Sequence, residues 1–321
     1  MSISDVQGPN VDLSIVVPIY NSEATIGTLL SRLHEVLQKL ESTFEIILID
    51  DGSRDLSWDR MVALQRVYSE TVVVVQLMKN CGQHNAIMCG FNLTRGSYVV
   101  TLDDDLQHPP EEIPKLVQAM ESNGSDLIYG SYAEKQHSEG RNLGSFVINR
   151  FYRIVFRNSV PITSFRIITK RLVKSVCVYD LNFTYIDGLL AWNTDRIGSV
   201  VVRHAQREEG TSGYSLSKLL TLALNLFTNF SLLPLQLVSV IGVFSAVSGF
   251  LGGAYYFVRY LIDSISVPGY ASVIVAILVL GGLQLLSLGI IGEYLGRVHL
   301  NLNRRPQFGI REVIGIKEKA N

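Results

Sequence analysis

Tyr98-Val99-Val100-Thr101-Leu102-Asp103-Asp104-Asp105-Leu106-Gln107-His108-Pro109-Pro110 joins an apolar run ending at Leu102 to three consecutive carboxylates, with a helix pattern opening at Glu111. A strand feeding a helix is half of a βαβ unit, and the same alternation runs through the first two thirds of the chain. Leu13 to Val17, Phe44 to Ile49, Val72 to Leu77 and Asp126 to Tyr129 read as further strands. Between the strands, Ala24 to Leu40, Trp58 to Tyr68, His84 to Leu93 and Glu111 to Ser122 place apolar residues three and four apart, as surface helices do. The pattern predicts a doubly wound α/β domain with a mostly parallel sheet over residues 1–214. Ligands of such sheets bind beyond the carboxyl ends of the strands, so the residues after Val17, Ile49 and Leu102 are the ones to inspect.

Composition sets limits on function. The 321 residues hold 28 Lys+Arg against 29 Asp+Glu, a net charge of −1, which argues against a nucleic-acid partner. With 18% charged and 47% hydrophobic residues and a mean hydropathy of +0.25, the chain is not disordered, and part of it is expected in lipid. Cys81, Cys89 and Cys177 form neither a disulfide framework nor a zinc pattern and read as reduced, packed thiols. Asp5, Pro9, Asn10 and Asp12 interrupt any export signal. P-loop, dinucleotide, zincin and esterase motifs are missing, and no solenoid repeat is visible.

The last third changes solvent. No charge occurs from Leu219 to Val258 or from Ser264 to Gly292, and about 20 apolar residues suffice to cross a bilayer. Spans are expected at Leu235 to Val258 and Ala271 to Ile291 within a two-helix domain over 233–292, with Arg259 and Asp263 in the turn. A pair of buried core helices is the alternative. Ahead of them Leu216, Leu219, Leu220, Ala223, Leu224 and Phe227 share one side of a segment over 215–232, the pattern of an interfacial amphipathic helix. Residues 293–321 read as a basic tail of the cytoplasmic type. Two spans return that tail to the side of the α/β domain, so both are expected on the cytoplasmic face of the inner membrane.

Asp103 and Asp105, two apart at a strand end, project to one side. Such a density of like charge is costly unless a cation neutralises it, and Mg²⁺ or Mn²⁺ suits oxygen ligands while sharing its coordination with phosphates. Helix capping explains one aspartate, not three. Asp50-Asp51-Gly52-Ser53 follows the second strand, and Pro18-Ile19-Tyr20-Asn21 follows the first, with Tyr20 suited to stack on a base and Asn21 to hydrogen-bond to it.

Three such clusters, in this order and spacing, resemble the inverting family 2 glycosyltransferases of GT-A (Rossmann-like) fold. There the first two clusters hold the nucleoside, and an Asp-x-Asp holds metal and diphosphate. Asp105 to Pro114, the amphipathic segment, the two spans and Gly292-Glu293-Tyr294-Leu295-Gly296-Arg297 are similar to the polyprenyl-phosphate glycosyltransferases. That group contains dolichyl-phosphate mannose synthase and the bacterial undecaprenyl-phosphate sugar transferases. Asn80 to Ile87 looks most like the formamidoarabinose branch, since the glucose transferases usually show Lys at Gln83. Pro268-Gly269-Tyr270-Ala271-Ser272 looks like the glucosyl branch, so the sugar stays open.

The resemblance implies inverting transfer of a sugar from a nucleotide sugar, a UDP-sugar in the first instance, to a polyprenyl phosphate such as undecaprenyl phosphate. It implies Asp105 and Gln107 as holders of Mg²⁺ or Mn²⁺, with Asp103 and Asp104 near the ribose or diphosphate. Pro18, Tyr20, Asn21, Asp50, Asp51 and Gln83 would surround the nucleoside. Arg141 is a candidate for the lipid phosphate, as are Arg150 and Arg153, which read equally well as solvated charges. Arg207 is a candidate for a donor or acceptor phosphate. Ser164 and Arg166 complete the catalytic set. A homo-oligomer, up to a tetramer, is also implied, although the glycines of the spans serve contact within one chain equally well.

Two departures stand out. Many relatives carry an acid, regarded as a base, before the pair matching Phe165-Arg166, where this chain has Ser164. A basic residue shortly after the position of Gly210 is replaced by Gly213, leaving Lys218 as a substitute. A phosphate monoester with its second pKa near 6 is already a nucleophile at neutral pH, so no strong base is required. Ser164 is expected to hydrogen-bond to donor or acceptor, or to leave room for them. The competing readings are a nucleotide-sugar binding protein that has lost catalysis, a processive polysaccharide synthase, and a transporter. The synthase is disfavoured because no Arg-Trp pair is present, and the transporter because the spans lack charge.

Overall fold

A strand covered on both faces is apolar throughout, and β1 (Leu13–Ile19) is buried along its whole length, as β2 (Phe44–Asp50) is but for its first residue. The computed structural model describes residues 11–132, 160–181, 184–203, 233–262, 269–303 and 306–315. From β2 the chain continues through β3 (Val72–Leu77), β4 (Tyr98–Thr101), β5 (Leu127–Tyr132), β6 (Arg166–Thr169), β7 (Ile197–Val202) and β8 (Ile310–Ile314). They form one eight-stranded sheet in the order β7-β5-β6-β4-β1-β2-β3-β8. β1 pairs in parallel with β2 and β4, β2 with β3, and β5 with β7, whereas β6 and β8 run antiparallel to their neighbours. The five expected strands are present, and the sheet is mostly parallel as read.

Helices cover both faces. Ile15, Val17, Ile46, Leu48 and Val74 meet the apolar sides of α1 (Ile26–Gln38), α2 (Ser57–Val67) and α4 (Ile113–Asn123) in one core. On the other face lies α3 (Gln83–Leu93), packed with α5 (Lys170–Cys177) and α6 (Ile186–Asn193). Gly90 of α3 is required for that approach, because a Cβ there would lie 2.5 Å from Val16 Cγ1 and 2.9 Å from Ile49 Cδ1.

The chain divides into two compact units, residues 1–212 with 304–321, and residues 213–303. The second contains α7 (Leu233–Ile262) and α8 (Tyr270–Leu302). Each includes a stretch apolar enough to cross a membrane, Leu235–Gly252 and Val279–Leu302, with none of either stretch buried in protein. These two candidate spans agree with the sequence reading, but their bounds do not. α7 continues through Arg259, which was expected in a turn. At 1.5 Å per residue α8 is about 50 Å long, well beyond the roughly 30 Å of a hydrocarbon core.

The described residues of the expected basic tail are structured. Its first part prolongs α8, where Arg297 pairs with Glu293 one turn back at 2.6 Å. Its later part is β8, the edge strand on β3. Met78 N–H donates to Gly309 carbonyl at 2.8 Å, and Gln307 donates to the carbonyls of Tyr179 and Leu181. The amphipathic segment over 215–232 lies outside the described residues.

Candidate active site

β1 sits between β2 on one side and β4 on the other, so successive connections leave it in opposite directions and open a crevice at the strand ends. The crevice is a cleft of about 300 Å³ lined by Pro18, Ile19, Tyr20, Asp51, Asn80, Gly82, Gln83, Asp103, Asp104 and Asp105. It thus gathers the ends of β1, β2 and β4 with the loop entering α3.

The second cluster builds the cleft wall. Asp51 accepts the backbone N–H groups of Cys81 at 2.6 Å and Gly82 at 2.8 Å, one on each oxygen. Burial nevertheless raises its pKa against those two bonds. Gly52 adopts φ +70°, and a Cβ there would stand 2.7 Å from Asn80 N, so only glycine lets the two loops close together. Asp50 is buried outside the lining, accepting Ser53 N–H at 3.0 Å and the Gln76 amide at 3.3 Å. Asn21 also lies outside it, in a left-handed conformation with its side-chain oxygen accepting Arg54 N–H at 2.8 Å. These two expected nucleoside contacts therefore shape the loops, while Pro18, Tyr20, Asp51 and Gln83 reach the cleft. Tyr20 is 45% exposed, a ring available for stacking.

The three aspartates after β4 have separate surroundings. Asp104 Oδ2 accepts the Tyr20 N–H at 3.2 Å and the Ser22 hydroxyl, tying the end of β1 to that of β4. Burial pushes its pKa up to about 6, and the neighbouring Asp103 charge adds to the rise. Asp103 is raised by burial as well, and it accepts the Gln83 amide at 2.5 Å and the Ser164 hydroxyl at 2.6 Å. Asp105 accepts the Gln107 N–H on Oδ1 at 3.1 Å, and among the described residues no other hydrogen bond is made to it. Leu106 between them is left-handed at φ 60°, a conformation costing a branched residue about 1–3 kcal/mol. Its side chain is buried in the core, which offsets that cost.

Two more expected site residues, Gln107 and Arg166, are not in the cleft lining. Gln107 donates its backbone N–H to Asp105 and is not among the residues lining the cleft, which Asp105 shares with Asp51, Asp103 and Asp104. Arg166 does not reach the cleft. It is 1% exposed and ion-paired with Asp187, and its Nε donates to Thr101 Oγ1 at 3.1 Å. Burial opposes its charge, but Asp187 and its other partners more than compensate. Arg141, Arg150, Arg153, Arg207 and Lys218 lie outside the described residues. Asn80 and Gly82 line the cleft, and Asp187 pairs with the buried Arg166, although the sequence reading gave none of them a role. A lone acid in the apolar run Ile186-Asp187-Gly188-Leu189-Leu190 was the available signal for a buried partner.

The donor set fits a divalent cation. Burial raises both Asp103 and Asp104, with the charge of Asp105 adding to the first and that of Asp103 to the second, and a nearby dication would relieve both. Among the described residues no three His, Cys, Asp or Glu side chains converge in a cage. One carboxylate completed by substrate phosphates is the arrangement Mg²⁺ commonly adopts with nucleotides.

A mostly parallel sheet whose switch point opens onto a cleft with an acidic β4 end is the layout of the GT-A glycosyltransferases. Residues 14–177 match Glycosyl transferase family 2, and the chain belongs to that family. It is 35% identical over 317 residues to the undecaprenyl-phosphate 4-deoxy-4-formamido-L-arabinose transferase of Serratia proteamaculans, covering 98% of this chain and 97% of that one. To the protein of the same name from Pseudomonas aeruginosa it is 36% identical, covering 95% and 91%. An uncharacterized glycosyltransferase of Synechocystis is 32% identical, covering 97% and 99%. Among solved structures, glucosyl-3-phosphoglycerate synthase from Mycobacterium tuberculosis with Mn²⁺ and UDP-glucose shares the fold at TM-score 0.50 and 22% identity, covering 68% of this chain and 77% of that one.

Proposed function

We propose that the protein transfers a sugar from a nucleotide sugar to a polyprenyl phosphate with inversion at the anomeric carbon. The observation that carries this reading is the carboxylate run at the end of β4, facing a cleft that the β1 and β2 loops complete. The near full-length similarity to undecaprenyl-phosphate transferases, candidate spans included, supports the lipid acceptor.

In this reading Tyr20 offers its ring to the base, and the Asn80 to Gln83 loop, fixed by Asp51, closes the nucleoside side. Asp105, in the cleft lining and bonded among the described residues only by the Gln107 N–H, would hold Mg²⁺ or Mn²⁺ for the donor diphosphate. Such a cation, when bound, offsets the charge that builds on the departing diphosphate. A phosphate oxygen of the acceptor forms a bond to the anomeric carbon as the bond to the diphosphate oxygen breaks. The electron pair of that bond leaves with the nucleoside diphosphate. The acceptor is largely ionised at neutral pH, so no side chain need take its proton. Arg141 and Arg207 are assigned to the phosphates on the sequence resemblance alone.

The protein is assigned to the inner membrane with its sheet on the cytoplasmic side. The return of β8 to the sheet supports one part of this reading: the chain leaves one sheet, passes two candidate spans and rejoins it, so any crossings are even in number and both flanks share one side. The test is glycolipid formation by the purified full-length protein with undecaprenyl phosphate, Mn²⁺ or Mg²⁺ and a panel of UDP- and GDP-sugars, beside Asp105→Asn. Product from one donor, reduced more than about 100-fold in the variant, is expected. Full activity of Asp105→Asn, or metal-dependent donor binding without product across the panel, would overturn the assignment.

A further inference from the structure

The three consecutive aspartates divide their work. Asp104 fastens two loops together, and Asp105 keeps an oxygen open, but Asp103 is committed on both oxygens. Its Oδ1 accepts the Gln83 amide at 2.5 Å, and its Oδ2 accepts the Ser164 hydroxyl at 2.6 Å. One donor opens α3 and the other precedes β6, so the carboxylate is held from two separate elements. Two bonds on two oxygens fix the plane of a carboxylate, which a single bond leaves free to turn.

The Ser164 side of this arrangement is anchored deep in the sheet. The Ser164 carbonyl accepts the Thr101 hydroxyl at 2.6 Å, and Thr101 Oγ1 in turn accepts Arg166 Nε at 3.1 Å. Arg166 is held by Asp187, which also accepts the Tyr129 hydroxyl at 2.9 Å. Next to Ser164, the Thr163 hydroxyl is engaged with the carbonyls of Gly130 at 2.8 Å and Phe165 at 2.9 Å. A backbone pinned at these points cannot drift to accommodate a moving carboxylate.

We propose that Gln83 and Ser164 are positioning residues that lock the Asp103 carboxylate in one orientation toward the donor, with the buried Arg166–Asp187 pair as the anchor of the lock. The proposal rests on the reading of the cleft as the donor site. It gives Ser164 a role other than contact with donor or acceptor. It also gives Arg166 a purpose although it never reaches the cleft.

The experiment measures UDP and GDP binding by calorimetry on the full-length protein in detergent with excess Mn²⁺, together with donor and acceptor KM. Ser164→Ala and Gln83→Ala should each weaken binding of the preferred nucleotide about tenfold, the size of one hydrogen bond to a charged group. Ser164→Thr, which keeps the hydroxyl, should restore it. The double variant should fall well short of a hundredfold loss, because either single change already frees the carboxylate. Melting temperatures and acceptor KM should match the wild type. Wild-type binding by both alanine variants overturns the lock, as does a rise in acceptor KM alone for Ser164→Ala, which would make Ser164 an acceptor contact. Wild-type protein that binds neither nucleotide refutes the donor-site reading itself, and the lock falls with it.

Discussion

Replacing Asp187 by Ala removes the carboxylate that neutralises a guanidinium 1% exposed to solvent. Arg166 then keeps its bond to Thr101, 3.1 Å from Nε, and the Tyr129 hydroxyl loses an acceptor 2.9 Å away. Breaking a buried ion pair by deleting one partner costs about 3–5 kcal/mol. For a domain of some 200 residues each kcal/mol lowers Tm by roughly 2–4 °C, so the expected drop is about 6–20 °C. Asp187→Asn keeps an oxygen for Arg166 and should lose less. Arg166→Met combined with Asp187→Ala takes away both charges and should recover much of the loss. The assay is thermal unfolding of detergent-solubilised protein, followed by a probe of the sheet domain. An Asp187→Ala variant melting within a degree or two of the wild type would refute the reasoning. So would a double variant less stable than either single one.

Gly52→Ala places a Cβ at φ +70° within 2.7 Å of Asn80 N, so it should destabilise the domain by about 1–3 kcal/mol and raise donor KM more than acceptor KM in steady-state assays. Ser164→Asp sets a second carboxylate against Asp103 Oδ2, now 2.6 Å from the serine hydroxyl, and should depress donor binding. Gln83→Lys in the same chain should restore part of it, as titration calorimetry would show. Arg32 holds Glu111 below the ordinary carboxylate range through a two-point pair at 2.9 and 2.7 Å. That pair therefore contributes stability above the unfolded glutamate pKa and loses it as pH falls through the lowered folded value. It is partly exposed, so the contribution is about 1 kcal/mol or less. Glu111→Gln should melt slightly below the wild type at pH 7, and the gap should close under acid.

The strands legible in the sequence are those whose apolar runs are long and local. Leu13 to Ile19 and Val72 to Leu77 declare themselves because central strands are apolar on both faces. β6 is four residues long and opens on Arg166, a charge whose burial depends on Asp187 in a different helix. β8, Ile310-Arg311-Glu312-Val313-Ile314, carries two charges, and its partner lies more than 230 residues upstream, where no periodicity can point to it. The site divides in the same manner. Asp103, Asp104 and Asp105 announce a cleft through their charge density, whereas Asn80 and Gly82 line it only because Asp51 grips the loop through backbone N–H groups. Asp50 and Asn21 have the right chemistry at strand ends, but their side chains are spent on Ser53, Gln76 and Arg54.

The placement of β8 bears on how the protein is made. A ribosome delivers β3 long before Ile310, and at about 5–20 residues per second the intervening chain takes roughly 10–50 s to emerge. Through that interval the nascent sheet carries an open edge along Val72 to Leu77, a surface that recruits stray strands. Both apolar helices are synthesised before the strand that closes it. Completion of the catalytic domain therefore waits on passage of α7 and α8 through the ribosome, and a fragment cut before Leu233 leaves its β3 edge permanently uncapped.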